Sequence, residues 1–450
     1  MKTIKLMTLM LLGFGLLTTA QAQETLTLKE ALNYALKNSE SVRKAYLNIE
    51  GGKYETAEIR AQALPQLNAT GTLTDNLLLQ KSPLPGEIVG KPGETILVAF
   101  GQKWNSAIQV QASQQLFNQS VFTGLKAAKA GEEYYKLNAD LSEENILQQV
   151  ATAYYQVLVT REQIAVIDSN LKSLQTTQNI IGTQYQNGLA KKIDVDRVKV
   201  SITNLNNQRT ELLNAVTQQE NALKFYMGMP INHEIVLPKV ELNKISEDAV
   251  AVADSVNTSF LTQFKVINKQ KELLQFQKKA YQAEYFPRLS FNAAYGYSGI
   301  SQKFDLYGGS NSTARWFDAS SIGLTLNIPI FDGFARRSRV NKADVELRKL
   351  NEDIRNTRQS LNLAYSNAKI QIRNSVNTIS SQEENMRLAQ EIYNSTQNNY
   401  KNGLASLTDL LDAENSLTKA QNSYTEALLN YKLAEIQLIK SNGNIKSLLN

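Results

Sequence analysis

Apolar residues recur at every seventh position through much of this chain. Ile146, Ala153, Thr160, Ile167, Leu174 and Ile181 form one such series, and Val150, Val157, Ile164, Leu171 and Gln178 run beside it. After a short interruption Val195, Ile202, Arg209, Val216 and Leu223 resume the spacing, beside Val198, Leu205, Leu212, Gln219 and Tyr226. Near the C-terminus Leu410, Leu417, Tyr424, Tyr431 and Leu438 do the same. Sustained heptads predict helices wound about neighbours in a left-handed coiled coil. No proline interrupts the stretch from Asn118 to Gln184, which as a helix would reach roughly 100 Å. Two seams on one helix suit a helix with neighbours on both sides, as in a closed cylinder; an antiparallel coiled-coil rod is the alternative.

Elsewhere the period changes from seven to two. Leu289, Phe291, Ala293, Tyr295 and Tyr297 alternate with Ser290, Asn292 and Ser298, and Ile322, Leu324, Leu326, Ile328 and Ile330 alternate with Ser321, Gly323, Thr325 and Asn327. A fainter version runs through Leu67, Ala69, Gly71 and Leu73, then Ile108, Val110 and Ala112. Segments of about ten residues with this dyad period, joined by long loops, are the signature of a membrane barrel with a polar lumen. Trp104, Trp316, Phe317 and Tyr295 are candidate interfacial aromatics. Four strands cannot close a barrel around a lumen, so several chains must contribute, and three chains would supply twelve strands.

The chain also repeats itself. Tyr185-Gln-Asn-Gly-Leu-Ala190 is echoed by Tyr400-Lys-Asn-Gly-Leu-Ala405, and Asp194, Val195 and Ile202 by Asp409, Leu410 and Leu417. Each tip glycine, Gly188 and Gly403, is followed forty residues later by another, Gly228 and Gly443. Each half reads as helix, strand, loop, strand, long helix, tight turn, helix. The first repeat, 23–230, has a helix at 26–64, strands at 66–75 and 104–116, a long helix at 118–184, a tip at 185–191 and a helix at 192–227. A linker spans 231–246. The second repeat, 247–450, has a helix at 247–285, strands at 288–299 and 319–330, a long helix at 332–399, a tip at 400–405 and a helix at 406–441. The chain reversal at Gly188 and Gly403 calls for a residue that tolerates positive φ, and the bare turns would present Leu189 and Leu404 to a partner.

Composition narrows the chemistry. Lys2 and Lys5 precede an apolar run to Leu17, and Ala20-Gln-Ala22 offers a small-residue cleavage site, so residues 1–22 read as a secretory signal peptide. There is no cysteine, which excludes disulfides, thiolate metal sites and an acylated N-terminal cysteine. The single histidine, His233, sits in a turn-rich stretch without the partners that a metal site or triad needs. The formal net charge of +6 is small for this length, and no basic stripe with interleaved aromatics points to nucleic acid. No Walker loop, nucleophile elbow or histidine-rich motif is present, so an enzyme is not expected and no cofactor is implied.

With the repeat laid out, the chain resembles the outer membrane efflux protein (TolC) family. The likeness covers essentially all of the chain after residue 22. It is carried most specifically by Ile328-Pro-Ile-Phe-Asp-Gly333, the two Tyr-x-Asn-Gly-Leu-Ala tips, and Thr408-Asp-Leu-Leu-Asp-Ala413. The resemblance implies a mainly α fold with membrane β: a homotrimer with four strands per protomer, closing a twelve-stranded β-barrel, and a twelve-helix antiparallel coiled-coil periplasmic tunnel. It implies an exit duct in the outer membrane, serving a tripartite efflux pump or a type I secretion system. The partners would be outer-membrane lipid, a periplasmic adaptor that docks at Gly188, Leu189, Gly403 and Leu404, and an inner-membrane transporter of RND or ABC type. Many relatives carry an acylated cysteine; this chain would be held by its barrel alone.

The resemblance also implies a periplasmic gate. In the family an acidic residue on the first tip bonds a tyrosine and an arginine on the second. Asp194 and Tyr400 occupy the matching acidic and tyrosine places, while Ala405 stands at the arginine place, with Lys401, Lys191 or Arg197 as candidate substitutes. Ser406-Leu-Thr-Asp409 reads as a capping box. Asp412 lies one turn further in, and around a threefold axis Asp409 and Asp412 would place six carboxylates at the tunnel mouth. Arg336, Arg337 and Arg339 read as a solvated helix face or a positive collar. A secreted trimeric coiled-coil structural or adhesive protein without a pore is the rival reading, and extraction by salt or urea rather than detergent would identify it.

Overall fold

The computed structural model describes residues 25–238, 255–309 and 312–450. The expected leader, residues 239–246 of the linker, and 247–254 at the start of the following helix lie outside the described residues. The helices are α1 (Leu28–Asn38), α2 (Glu40–Ala61), α3 (Gln119–Gln186), α4 (Lys192–Met227), α5 (Thr262–Ala283), α6 (Ala335–Lys401) and α7 (Leu407–Ser441). The strands are β1 (Gln66–Asp75), β2 (Lys81–Pro85), β3 (Thr95–Ala99), β4 (Trp104–Phe117), β5 (Arg288–Ser301) and β6 (Arg315–Asn327). Two compact units emerge. One gathers Met1–Leu47, Lys136–Val266 and Arg355–Asn450, and the other Asn48–Tyr135 and Ile267–Ile354, so each draws on both sequence halves.

The first unit is helical, and its heptad positions are its core. Ile146, Ala153, Ile167, Leu174 and Ile181 on α3 are buried, as are Leu410, Leu417, Tyr431 and Leu438 on α7. Full burial of each leucine or isoleucine side chain among them contributes about 1.5–3 kcal/mol. Tyr154 is buried whole because its hydroxyl finds an acceptor, donating to the Leu26 carbonyl at 3.0 Å. The helix expected over 26–64 is two helices. Thr27 and Glu30 form a reciprocal capping box at the start of α1, and the chain turns extended at Ser39 (ψ 128°) before α2 begins. Gly228, in the left-handed region (φ 69°), lies so close to this break that a Cβ there would stand 2.4 Å from the Asn38 carbonyl oxygen. Nothing local in the sequence marks Ser39; the contact that accompanies the break comes from a glycine far along the chain.

The second unit holds a four-stranded antiparallel sheet of order β1-β4-β5-β6. The alternation of all four strands is in phase. Leu67 pairs with Ala112, Ala69 with Val110 and Gly71 with Ile108; Ile108 pairs with Tyr297, Val110 with Tyr295 and Ala112 with Ala293. Leu289, Phe291 and Ala293 then pair with Leu326, Leu324 and Ile322. Paired residues share a face, so one face is apolar and aromatic across the sheet. The other face carries Asn68, Thr70, Gln109, Gln111, Asn292 and Thr325, with Asn292 donating to Thr325 at 3.0 Å.

Several sequence expectations need correction here. β6 ends at Asn327 rather than at residue 330, because Pro329 has no N–H for a ladder. At its other end β6 extends back to Arg315, with Trp316 opposite Gly299. The loop expected between β1 and β4 contains the hairpin β2–β3. Pro83 and Pro85 concealed it, since prolines demote a run from strand. α6 starts at Ala335 rather than 332: Gly333 (φ 64°) and Phe334 (φ 67°) are both left-handed. Asp332 accepts from the Arg336 backbone N–H at 3.0 Å and from its Nε at 2.8 Å. Arg336 is therefore not a solvated face residue. It is buried, ion-paired with Asp332 and stacked 4.9 Å from the Tyr285 ring, while Arg339 pairs with Glu284 at 2.5 Å. Arg337 stays exposed.

Candidate functional site: helix tips and the apolar sheet face

In the helical unit, α3 passes to α4 and α6 to α7 through turns built alike. Gly188 (φ 75°) and Gly403 (φ 74°) supply the left-handed residue that ends a helix in a Schellman turn. The Leu189 N–H donates to the Gln184 carbonyl and the Leu404 N–H to the Asn399 carbonyl, each at 2.8 Å. Tying the backbone this way leaves Leu189 and Leu404 outside the packing, 80% and 78% exposed. Open space surrounds both glycines, so the conformation rather than crowding demands them.

The helices leaving the tips are capped differently. Ser406 is the N-cap of α7: its hydroxyl accepts from the Asp409 N–H at 3.2 Å, and Asp409 accepts from the Ser406 N–H at 2.9 Å. The Ser406 hydroxyl also donates to the Asp409 carboxylate at 2.7 Å, and this bond, then the one from the Ser406 N–H, holds the carboxyl below the usual aspartate range. At α4 the corresponding N-cap, Lys191, has no side-chain acceptor, and only its N–H reaches Asp194, at 3.4 Å. Asp412 is exposed, one turn beyond Asp409.

The expected gate residues are only partly brought together. Tyr400 is half-buried between two apolar clusters, one around Leu410 and Tyr393, the other around Val198 and Leu407. Burial, then the nearby charge of Asp194, raises its pKa. No hydrogen bond joins Tyr400 to Asp194 among the described residues. A link the sequence did not single out stands beside them: Arg197 donates to the Thr408 hydroxyl at 2.8 Å and lies 4.0 Å from Asp194. Of the three cations that were candidates for the role vacated at Ala405, Arg197 is the one the structure joins to both tips. Thr408 opens the Thr408-Asp-Leu-Leu-Asp-Ala413 motif, but nothing in that motif names it as the acceptor for Arg197.

In the sheet unit the apolar face is bare. Ile322 is 81% exposed, Leu324, Leu326 and Leu67 more than half. Aromatic rings gather at both strand ends. Trp104 packs 4.6 Å from Phe304, and Trp316 stacks 5.0 Å from Tyr297 at one end. Phe331 and Phe334 meet edge to face at 5.4 Å, with Phe117 and Phe122 in contact, at the other. The sheet's two outer strands, β1 and β6, each lack a partner on one side. No described helix is long and apolar enough to cross a membrane, and no cluster of potential metal ligands is found among the described residues.

Comparison with known proteins places this architecture. The model of the outer membrane efflux protein family matches residues 31–229 and 264–444. The chain belongs to the outer membrane efflux protein family. The probable efflux pump outer membrane protein TtgC of Pseudomonas putida is 22% identical over 432 residues, covering 92% of this chain and 82% of the relative. Outer membrane protein TolC of Vibrio cholerae is 20% identical over 438 residues, covering 96% and 94%. The crystal structure of the outer membrane protein VceC of Vibrio cholerae superposes with a TM-score of 0.72 at 17% identity, over 92% of this chain and 96% of that one. As an outer membrane efflux protein, the chain shares with these relatives a mainly helical fold, in a family of channels rather than enzymes.

Proposed function

We propose that this protein is an outer-membrane exit duct: a homotrimer whose three sheets join edge to edge in a twelve-stranded barrel and whose helices form a twelve-helix periplasmic tunnel. The observation that carries the reading is the sheet itself. It has two unpaired edges and one continuous apolar face with aromatic rings at both ends. Exposed edges invite pairing, and closing the sheet with further copies removes them. The apolar face then meets lipid, flanked by aromatic girdles, while Asn68, Gln111 and Thr325 face a wet lumen. The absence of cysteine favours anchoring by the barrel alone.

The relative TtgC is named as the outer membrane protein of a probable efflux pump, which supports a tripartite pump here, with type I secretion as the other assignment of the same duct. An adaptor would dock on the exposed leucines of the tips, Leu189 beside Gly188 and Leu404 beside Gly403, and an inner-membrane transporter would feed the tunnel. Asp194, Tyr400, Asp409 and Asp412 would form the periplasmic gate, with Arg197 in place of the arginine that Ala405 lacks. The test is the mass of the complex extracted in mild detergent. Three copies, solubilised only by detergent, are expected; a monomer, or release by salt or urea, overturns the duct.

A further inference from the structure

Two turns into α7, just inside the tip, Glu414 is 5% exposed, and its Oε1 has no hydrogen-bond partner. Its charge is felt by Tyr393 on α6, and the hydrogen bonds that tie this stretch of α7, α6 and α3 together run between neutral groups. Ser173 on α3 and Tyr393 on α6 share a hydrogen bond of 2.7 Å, and Asn170 on α3 donates to Thr418 and Gln421 on α7 at 2.8 and 3.2 Å. Tyr393 is the titratable group that faces the carboxyl from α6. On α4 the tip cation Arg197 is held at Thr408, and on α7 Asp409, Asp412 and Lys419 are all exposed. A carboxylate buried without a counter-charge is strongly unfavourable, so this seam tolerates Glu414 as the neutral acid.

We propose that Glu414 is a pH-sensitive latch: protonated, it lets α7 pack against α6 and α3 beside the tip; ionised, it drives α7 off that seam and loosens the tunnel mouth. Burial raises the carboxyl to about 7, whereas on leaving the seam it returns to the ordinary range near 4.5. The sign follows from linkage. Below the ordinary value both arrangements are protonated and the packed one keeps its full stability. As pH rises through the interval up to about 7 that stability is progressively lost. A duct exposed to near-neutral fluid would sit on the steep part of this curve, and local acidification at the mouth would close it.

The consequence for flow rests on the exit-duct reading, so the test has two arms. In planar bilayers the open fraction of the wild-type protein should rise on the order of tenfold between about pH 5.5 and 7.5, and Glu414→Gln should remain closed and flat. Channels from the variant that follow the wild-type pH profile overturn the latch. In detergent, amide exchange of the wild-type protein, corrected for intrinsic rates, should lose protection around Ser173, Tyr393 and Glu414 over the same interval. Unchanged protection there overturns the latch even if no channel forms, and absence of channels alone counts against the duct and not against the latch.

Discussion

The helical unit and the sheet unit treat the same kinds of side chain in opposite ways. On α3 and α7 the seam residues Ile167, Leu174, Leu410 and Leu417 are buried, and Tyr154 and Tyr431 are 1% and 0% exposed. On β6 Ile322 and Leu324 stand 81% and 66% exposed, and on β1 Leu67 stands 69% exposed. A helix presents apolar residues along a narrow seam that neighbouring helices of the same chain can cover. A single sheet has two faces and two edges, and its apolar face stays exposed at Ile322, Leu324 and Leu67. Exposed apolar area on this scale marks a surface meant for another phase or another chain. The tips repeat that lesson on a small scale: beside the buried Leu407, Leu410 and Leu411, Leu189 and Leu404 are left out.

Truncation in the helical core should have the largest effect. Tyr154→Ala removes a fully buried ring and the bond to Leu26, and should cost about 3–5 kcal/mol, read as a large drop in the thermal midpoint of the detergent-solubilised protein. If Tyr154→Ala costs no more than an exposed substitution such as Tyr54→Ala, the contrast between the units fails. Next comes a charge on the sheet. Leu324→Arg should cost about 2–4 kcal/mol if the residue meets lipid near the bilayer centre, and it should deplete the protein from the outer-membrane fraction. In water the same substitution at a residue this exposed would cost almost nothing, so wild-type abundance would sink the lipid assignment.

Smaller effects belong to the tips. Gly403→Val and Gly188→Val force a β-branched residue into the left-handed region, at about 1–2 kcal/mol each. Trimer formation should survive while crosslinking from Leu189 and Leu404 to an adaptor declines; equal crosslinking in all three proteins would remove the tips from docking. The least costly change in stability is Asp409→Asn with Asp412→Asn. It removes charge at nearly constant volume and keeps an acceptor beside Ser406. Single-channel recordings should show cation preference and multivalent-cation block both weakened. A double variant that conducts and blocks like wild type would leave Asp409 as a cap and nothing more.

What was legible in the sequence was local. Ser406-Leu-Thr-Asp409 names its own capping box because donor and acceptor lie within one helical turn. The tip glycines announce positive φ, and the heptads of α3 announce a seam, since both follow from chain geometry over a few residues. Arg336 misled for the complementary reason. Three arginines within four positions read as solvated, but the pairing of the first depends on Asp332 and Tyr285, and the second of these approaches only after the chain has traversed β5 and β6.

The sequence by itself determined that there would be long wound helices, alternating strands and two tight reversals, because periods of seven and two are properties of the backbone repeat. Only the tertiary structure decided that the four strands align their apolar residues on one face, since a slip of one residue in any pairing would have turned that strand over. It decided that Gly228 presses on the end of α1, that Arg197 reaches Thr408, and that Glu414 is buried within reach of Tyr393. Each of these joins residues far apart in the chain. Their proximity follows from the loop closures and packing that the whole fold makes, and no local period records it.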